Sequence, residues 1–493
     1  MSENIQKSPL PCGGGLGVGE TQSIKQGYKR TSLGILPQEW EVVRLGDICE
    51  FIKTYQNARS DLNENDEISY IHYGEIHTKY KHFIDFAKAK LPKINAKKLV
   101  KEFQEIAFCQ SGDLVVVDAS EDYTAVAKSV EIQNLNSKAV AGLHTFLLRD
   151  KANYFANGFK GYILYNSEVY NELKRLATGI SVLSISKTNL SNLQIPLPPL
   201  AEQEKIAQIL SVWDKGISVL KSLIEAKTKR KKALMQRLLT PPTHPLTPSA
   251  REGEQKSHHD TKAPPLAGGV GVGYSHIENN RNDDKVLDCH DLTASNLAMT
   301  EKNSKAKQSL RFAEFTDKWQ EMRLGDILEY EQPTKYLVKN TEYSNLYQTP
   351  VLTAGKTFIL GKTNENFGVY KDLPIILFDD FMTTSKFVDF PFKVKSSASK
   401  ILKPKTNNIN LKIVFEMMQT IDFCAKDHKR YWISEYQNLT IKLPTLAEQK
   451  KIAQVLSACD KEIELLKSKF QCLKTQKKGL MQRLLNGEVR VKC

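Results

Sequence analysis

Few side chains in this chain of 493 residues stand at spacings that chemistry requires. Asp379 and Asp380, followed by Lys386, have the composition of a nuclease centre, where two carboxylates hold Mg²⁺ and a lysine helps activate water. The same residues also suit a structural turn at a strand end. His72, His77 and His82 recur every five residues, which scatters them around a helix and alternates them across a strand, so they are not expected to share a metal. The stretch GKTFILGKT, Gly355 to Thr363, is one residue too long for a phosphate-binding loop. No GxSxG, HExxH, paired dinucleotide fingerprint or NPPY-like methyltransferase motif occurs. The eight cysteines form no CxxC pair and are expected to be reduced thiols, neither a zinc site nor a disulfide framework. No catalytic residue, metal or cofactor is assigned, and the chain reads as a binding protein.

Charge says what it would bind. Lys plus Arg number 70 against 56 Asp plus Glu, a net charge of +14, and such a surface attracts polyanions, nucleic acid first. No run approaches the roughly 18 apolar residues of a membrane span, and the N-terminus lacks the apolar stretch of a signal peptide. A cytoplasmic protein without membrane contact is expected.

The elements that position the binding residues are duplicated. WEVVRLGDICEF from Trp40 returns as WQEMRLGDILEY from Trp319, and LQIPLPPLAEQEKIAQILS from Leu193 returns as LTIKLPTLAEQKKIAQVLS from Leu439. Both of the longer copies run on to KKxLMQRLL, with roughly 28 of 47 positions identical, far above chance. Between opening box and helix the halves differ beyond alignment, so one frame carries two different surfaces.

After Pro198 and Pro444 apolar residues fall alternately four and three apart, the seam of a coiled coil. The first seam is Ile206, Leu210, Trp213, Ile217, Leu220 and Ile224, interrupted at Lys227 and Lys231; the second contains Ile452, Leu456, Ile463, Leu466, Phe470 and Leu473. A helix of about 39 residues is roughly 58 Å long and needs a partner along that stripe. Mutual, antiparallel pairing is preferred here over packing of each helix on its own domain, which would set the two variable domains at opposite ends about a pseudo-two-fold axis.

Within the variable regions, β-branched runs such as GDLVVVD, SVEIQ, HTFLLRD and DLPIILFDDF predict strands in a mixed α/β (α+β) fold, with a helix near IVFEMMQTI. Lys393, Lys395, Ser396, Ser397 and Lys400 are candidates for gripping DNA phosphates in the second region, and Lys79, Lys81, Lys88 and Lys90 in the first. Residues 241–310, rich in Pro, Gly, Ser and charge without periodicity, read as a disordered linker. The expected order is a disordered tail over 1–35, a first recognition domain over 36–195, a helix over 196–240, the linker, a second recognition domain over 311–440 and a second helix over 441–493.

Two LPxLAEQxKIAQxLSxxDxxI boxes, a W-RLGDI opening to each half and a variable domain before each long helix resemble the specificity subunits of type I restriction–modification systems. The resemblance covers nearly everything outside 1–35 and 241–310. It implies a non-catalytic protein with two target-recognition domains, each reading one half of a split double-stranded DNA site, held apart by antiparallel helices. It also implies docking of two copies of an adenine methyltransferase subunit and, in the full complex, of ATP-dependent restriction and translocation subunits. Because the variable regions differ, the target is expected to be asymmetric. The competing possibilities are a coiled-coil adaptor that has lost DNA reading, and a chain with a nuclease centre at Asp379, Asp380 and Lys386.

Overall fold

The run Leu114–Val117 is buried throughout, and its alternate side chains enter two different cores, as a central strand requires. Leu114 and Val116 face the core that holds Trp40 and Ile206, while Val115 and Val117 face one that holds Ile71 and Ile84. In the second half Ile376 and Phe378 face a core with Ile452, and Ile375 and Leu377 one with Val394. Each half therefore has a main sheet between a helix-bearing core and a second core.

The computed structural model describes residues 24–100, 105–121, 127–179, 182–241, 309–355, 357–425, 427 and 429–491. Nearly all of the expected linker lies outside the described residues. The chain divides into two units, residues 1–221 with 469–493 and residues 222–468. Both long helices, Leu200–Leu238 and Leu446–Leu485, contribute part of their length to each unit. The range expected for the first recognition domain, 36–195, falls within the first unit, and that expected for the second, 311–440, within the second.

The first unit has a five-stranded sheet in the order Cys49–Ile52, Thr145–Asp150, Leu114–Val117, Ser129–Gln133 and Phe83–Asp85; the last pair is parallel and the others are antiparallel. A three-stranded sheet places Ala139–Ala141 parallel to Ile68–Ile71, which pairs antiparallel with Lys93–Ile94. The second unit has Leu328–Glu331, Ser399–Pro404, Ile375–Asp379 and Ser385–Val388, all antiparallel. Its three-stranded sheet again sets one parallel neighbour, Lys393–Val394, and one antiparallel neighbour, Ile359–Thr363, on a middle strand, Thr349–Leu352. Two sequences that do not align thus share the order of four main-sheet strands and of the three-stranded sheet, while the parallel edge strand Phe83–Asp85 belongs to the first unit alone among the described residues. The helix expected near IVFEMMQTI is Leu411–Met418, capped by the Asn410 side chain.

Of the tail expected over 1–35, residues 1–23 lie outside the described residues, and part of the rest is a strand pair rather than disordered. Tyr28–Thr31 and Gly34–Pro37 form an antiparallel hairpin, and the Tyr28 hydroxyl donates to the carbonyl of Gly487 at 3.0 Å. No described helix is long and apolar enough to cross a membrane.

Candidate nucleic-acid interface

The opening and closing boxes of each half meet as strands. Glu41–Arg44 pairs antiparallel with Gln194–Leu197, and Gln320–Arg323 pairs likewise with Thr440–Leu443. The RLGDI residues follow as one helical turn whose first amide donates to the closing box, Leu45 to the Leu193 carbonyl and Leu324 to the Leu439 carbonyl, both at 2.9 Å. Glycine is required in the first of these turns because a Cβ at Gly46 would lie 1.9 Å from Ser191 Oγ.

The acidic and amide residues of LAEQ act as clamps. Gln203 Nε2 donates to the Pro198 carbonyl at 2.8 Å, and its Oε1 accepts from the Ala156 amide at 2.9 Å, joining the helix start to the segment that follows the five-stranded sheet. Gln449 repeats this with the Pro444 carbonyl at 2.9 Å and the Asn410 amide at 2.8 Å. Glu202 accepts from Trp40 Nε1 at 2.8 Å and from Arg490 Nε and Nη2 at 2.8 and 3.0 Å. Glu448 accepts a matching fork from Arg311 at 2.9 and 2.8 Å. Truncation to Gln203→Ala or Gln449→Ala orphans a buried amide and carbonyl, which costs about 2–3 kcal/mol. Each is expected to lower the stability of its own unit alone, read as faster hydrogen exchange at Ala156 or at Asn410; equal loss in both units would refute the clamp.

The seam residues divide between two duties. Ile206 and Leu210 pack into the first domain's core beside Met481, Leu484 and Leu485 from the end of the other helix. In the second unit Ile452 and Leu456 share a core with Met235 and Leu238. Packing on the own domain and packing on the partner helix, set as alternatives from the sequence, occur together. Ile217, Leu220 and Ile463 are buried, whereas Trp213, Ile224, Leu466, Phe470 and Leu473 are half-buried.

Ion pairs join helix to helix inside each unit. Lys477 Nζ lies 2.6 Å from Asp214 Oδ2, and Lys231 Nζ lies 2.7 Å from Asp460 Oδ1; these are the same two positions of the repeat with the donor and acceptor helices exchanged. Lys412 adds contacts of 2.9 Å to Glu416 and to Asp460. Burial pushes the Asp460 carboxyl up, but hydrogen bonds from Lys231 and Lys412 outweigh it and hold it below the usual range. The two lysines that interrupt the first seam thus have partners, since Lys227 also lies 2.5 Å from Glu462.

Cations of the first variable region converge on one buried carboxylate. Arg59 and Lys79, with side chains 66% and 54% exposed, lie 2.9 and 2.6 Å from Glu75 on the helix Tyr73–Lys79. Burial raises the Glu75 carboxyl, and the hydrogen bonds from Lys79 and Arg59 bring it below its ordinary value. Lys81, Lys88 and Lys90 are exposed, with Lys88 at 3.5 Å from Asp85. In the second region Lys395, Ser396 and Ser397 are exposed beyond the strand Lys393–Val394.

A family model described as "Type I restriction modification DNA specificity domain" matches residues 37–227 and 316–475, more than half of the chain. The chain belongs to the family of type I restriction–modification specificity subunits. It is 49% identical over 145 residues to the EcoR124I/EcoR124II specificity subunit of Escherichia coli, which covers 27% of this chain and 36% of that protein's length. It is 24% identical over 508 residues to the putative MjaX specificity subunit of Methanocaldococcus jannaschii, covering 95% of this chain and 98% of that protein. The solved S subunit from M. genitalium is 14% identical, with a TM-score of 0.49 over 90% of this chain and 96% of that one.

Specificity subunits are the non-catalytic members of their systems, and the acidic pair of this one is structural. Asp380 is buried against Lys400, and its Oδ1 accepts from the Trp432 amide at 2.8 Å; Asp379 Oδ1 caps the turn at Phe381 and Met382. Among the described residues no group of three or more His, Cys, Asp or Glu is placed to hold a metal.

Two candidate phosphate contacts need correction. Lys393 and Lys400 are 0% exposed, Lys393 paired with Glu365 at 2.9 Å and Lys400 with Asp380 at 3.4 Å, so neither ammonium faces solvent. The sequence placed them with Lys395 because all lie in one basic, hydroxyl-rich stretch; Lys393 and Lys400 lie in strands whose neighbouring residues are buried on both faces, whereas Lys395 lies just beyond its strand. Arg59 was missed for the opposite reason, since nothing in the fifteen residues between it and Glu75 marks the two as partners.

Proposed function

We propose that this specificity subunit is the DNA-reading part of a type I restriction–modification complex, with each unit recognising one half of a bipartite, asymmetric site. The observation that carries this is a pair of domains of dissimilar sequence that share the order of four main-sheet strands and of a three-stranded sheet, each closed by the same LAEQ clamp. A shared frame fixes how each domain meets a groove, and different side chains let the half-sites differ. The two helices, of 39 and 40 residues, act as an antiparallel spacer and as the docking surface for two adenine methyltransferase subunits, with restriction and translocation subunits joining in the full complex. Successive turns of one DNA face are about 34 Å apart, a distance that helices of roughly 60 Å can span. The work is cytoplasmic and needs no cofactor in this chain. Exposed Lys79, Lys81, Lys88, Lys90, Lys395, Ser396 and Ser397 supply phosphate contacts.

Methylated adenine is mapped across the genome of cells that express this chain with a candidate methyltransferase subunit, and of cells with that subunit alone. Two short, unlike blocks around a fixed gap are the expected new motif. A palindromic or contiguous motif overturns the bipartite reading, and a motif present without this chain overturns its role in recognition.

A further inference from the structure

The loop between the strand Ile359–Thr363 and Tyr370 is built at unusual cost for a surface segment. Lys393, 0% exposed, sits beneath it: its ammonium lies 2.9 Å from Glu365 Oε2, donates to the Phe367 carbonyl at 2.8 Å and lies 4.5 Å from the centre of the Phe367 ring. Glu365 is buried as well, and its Oε1 accepts from the backbone amides of Lys339 and Asn340 at 2.9 and 2.6 Å. One ion pair therefore locks two loops together. Gly368 completes the lock with φ of +57°, where a Cβ would lie 2.6 Å from the Lys335 carbonyl.

Burying an ion pair is a poor way to gain stability, because desolvation offsets most of the attraction and apolar residues of similar volume serve as well. What it does supply here is a fixed shape. The loop so fixed holds its largest apolar side chain outward: Phe367 is 50% exposed, and the exposed Lys339 has its ammonium 5.2 Å from the ring. A rigid aromatic ring with a cation beside it suits duplex DNA, the ring meeting a thymine methyl or wedging a base step while the lysine takes a neighbouring phosphate. A loop already ordered before binding pays no ordering entropy on contact.

We propose that Phe367 is a base-contacting, specificity-determining residue of the second recognition domain, and that Lys393 and Glu365 are its positioning residues. This rests on the DNA-recognition reading above. The test is selection of bound duplexes from a random-sequence library by the full-length chain, followed by sequencing. The unaltered chain is expected to enrich a split motif. Phe367→Ala, which removes a half-exposed ring, keeps one block of that motif, loses preference at one or two positions of the other, and binds the original motif about 10- to 100-fold more weakly. Lys393→Met relaxes those same positions, whereas an unfolded second domain would lose its whole block. If Phe367→Ala enriches the unchanged motif at an affinity within about twofold, the proposal is overturned and the DNA reading stands. If the unaltered chain enriches nothing, both fall.

Discussion

Deleting Met481–Cys493 is expected to unfold the first unit, although the residues removed lie more than 280 positions from its long-helix start. Met481, Leu484 and Leu485 are buried in the core around Trp40 and Phe159, and at 1.5–3 kcal/mol for each such side chain their loss costs about 6 kcal/mol. Arg490 leaves with them, which strips the buried Glu202 of its guanidinium partner. A domain is stable by about 5–15 kcal/mol, so the sum is comparable to the whole. The core of the second unit contains none of the deleted residues. Hydrogen exchange should therefore become fast in the strand Leu114–Val117 and stay slow in Ile375–Asp379. Leu485→Ala gives a graded form of the same result, about 2–5 kcal/mol, confined to the first unit. Retained protection of Leu114–Val117 after the deletion would show that the two helix ends fold independently.

Mild acid is the second strong perturbation, and it too acts on the first unit. Burial, with Lys477 nearby, pushes the His82 imidazole down to about 3, and its Nδ1 lies 3.0 Å from the Gly161 carbonyl. His72 is also held below its ordinary value, by burial and then by Arg59. Asp214 and Lys81 complete the charged surroundings of His82, the aspartate working against the shift and the lysine with it. A histidine near 6.5 when unfolded and near 3 when folded leaves the unfolded chain holding the extra proton between those values. Its stability contribution is thus complete above pH 6.5 and is lost as pH falls from 6.5 towards 3, by about 1.4 kcal/mol per pH unit. At pH 5 the loss from His82 reaches about 2 kcal/mol. The urea midpoint of the first unit is expected to drop between pH 7 and 5 while that of the second changes little, and His82→Gln should flatten the difference. Parallel decline of both units would rule out His82 as the cause.

Much of this was legible along the chain. The duplicated boxes, the two long helices and most central strands depend on identity and periodicity over short stretches, where an apolar residue every second or every three to four positions has a single economical use. The family followed from the same boxes, because two LAEQ copies in one chain in a fixed order are a specific signal. The wish of the helix seams for a partner was also written there, in stripes too apolar to stand in water.

What the chain could not show is how distant stretches share their cores. Lys393, Lys395 and Lys400 look alike in sequence, yet Lys395 reaches solvent and the other two are enclosed, because their strands are covered on both faces and alternation no longer marks an outside. The common strand order of the two variable regions was hidden for a related reason, since a sheet needs a pattern of burial and pairing that many unrelated side chains can satisfy. The division into units was hidden as well. A helix that leaves one core still apolar must finish in another, so the first unit is completed by the last residues of the chain and the second by the end of the first helix. Local spacing decides which elements form; only packing, through the apolar area each element still has to bury, decides which of them belong together.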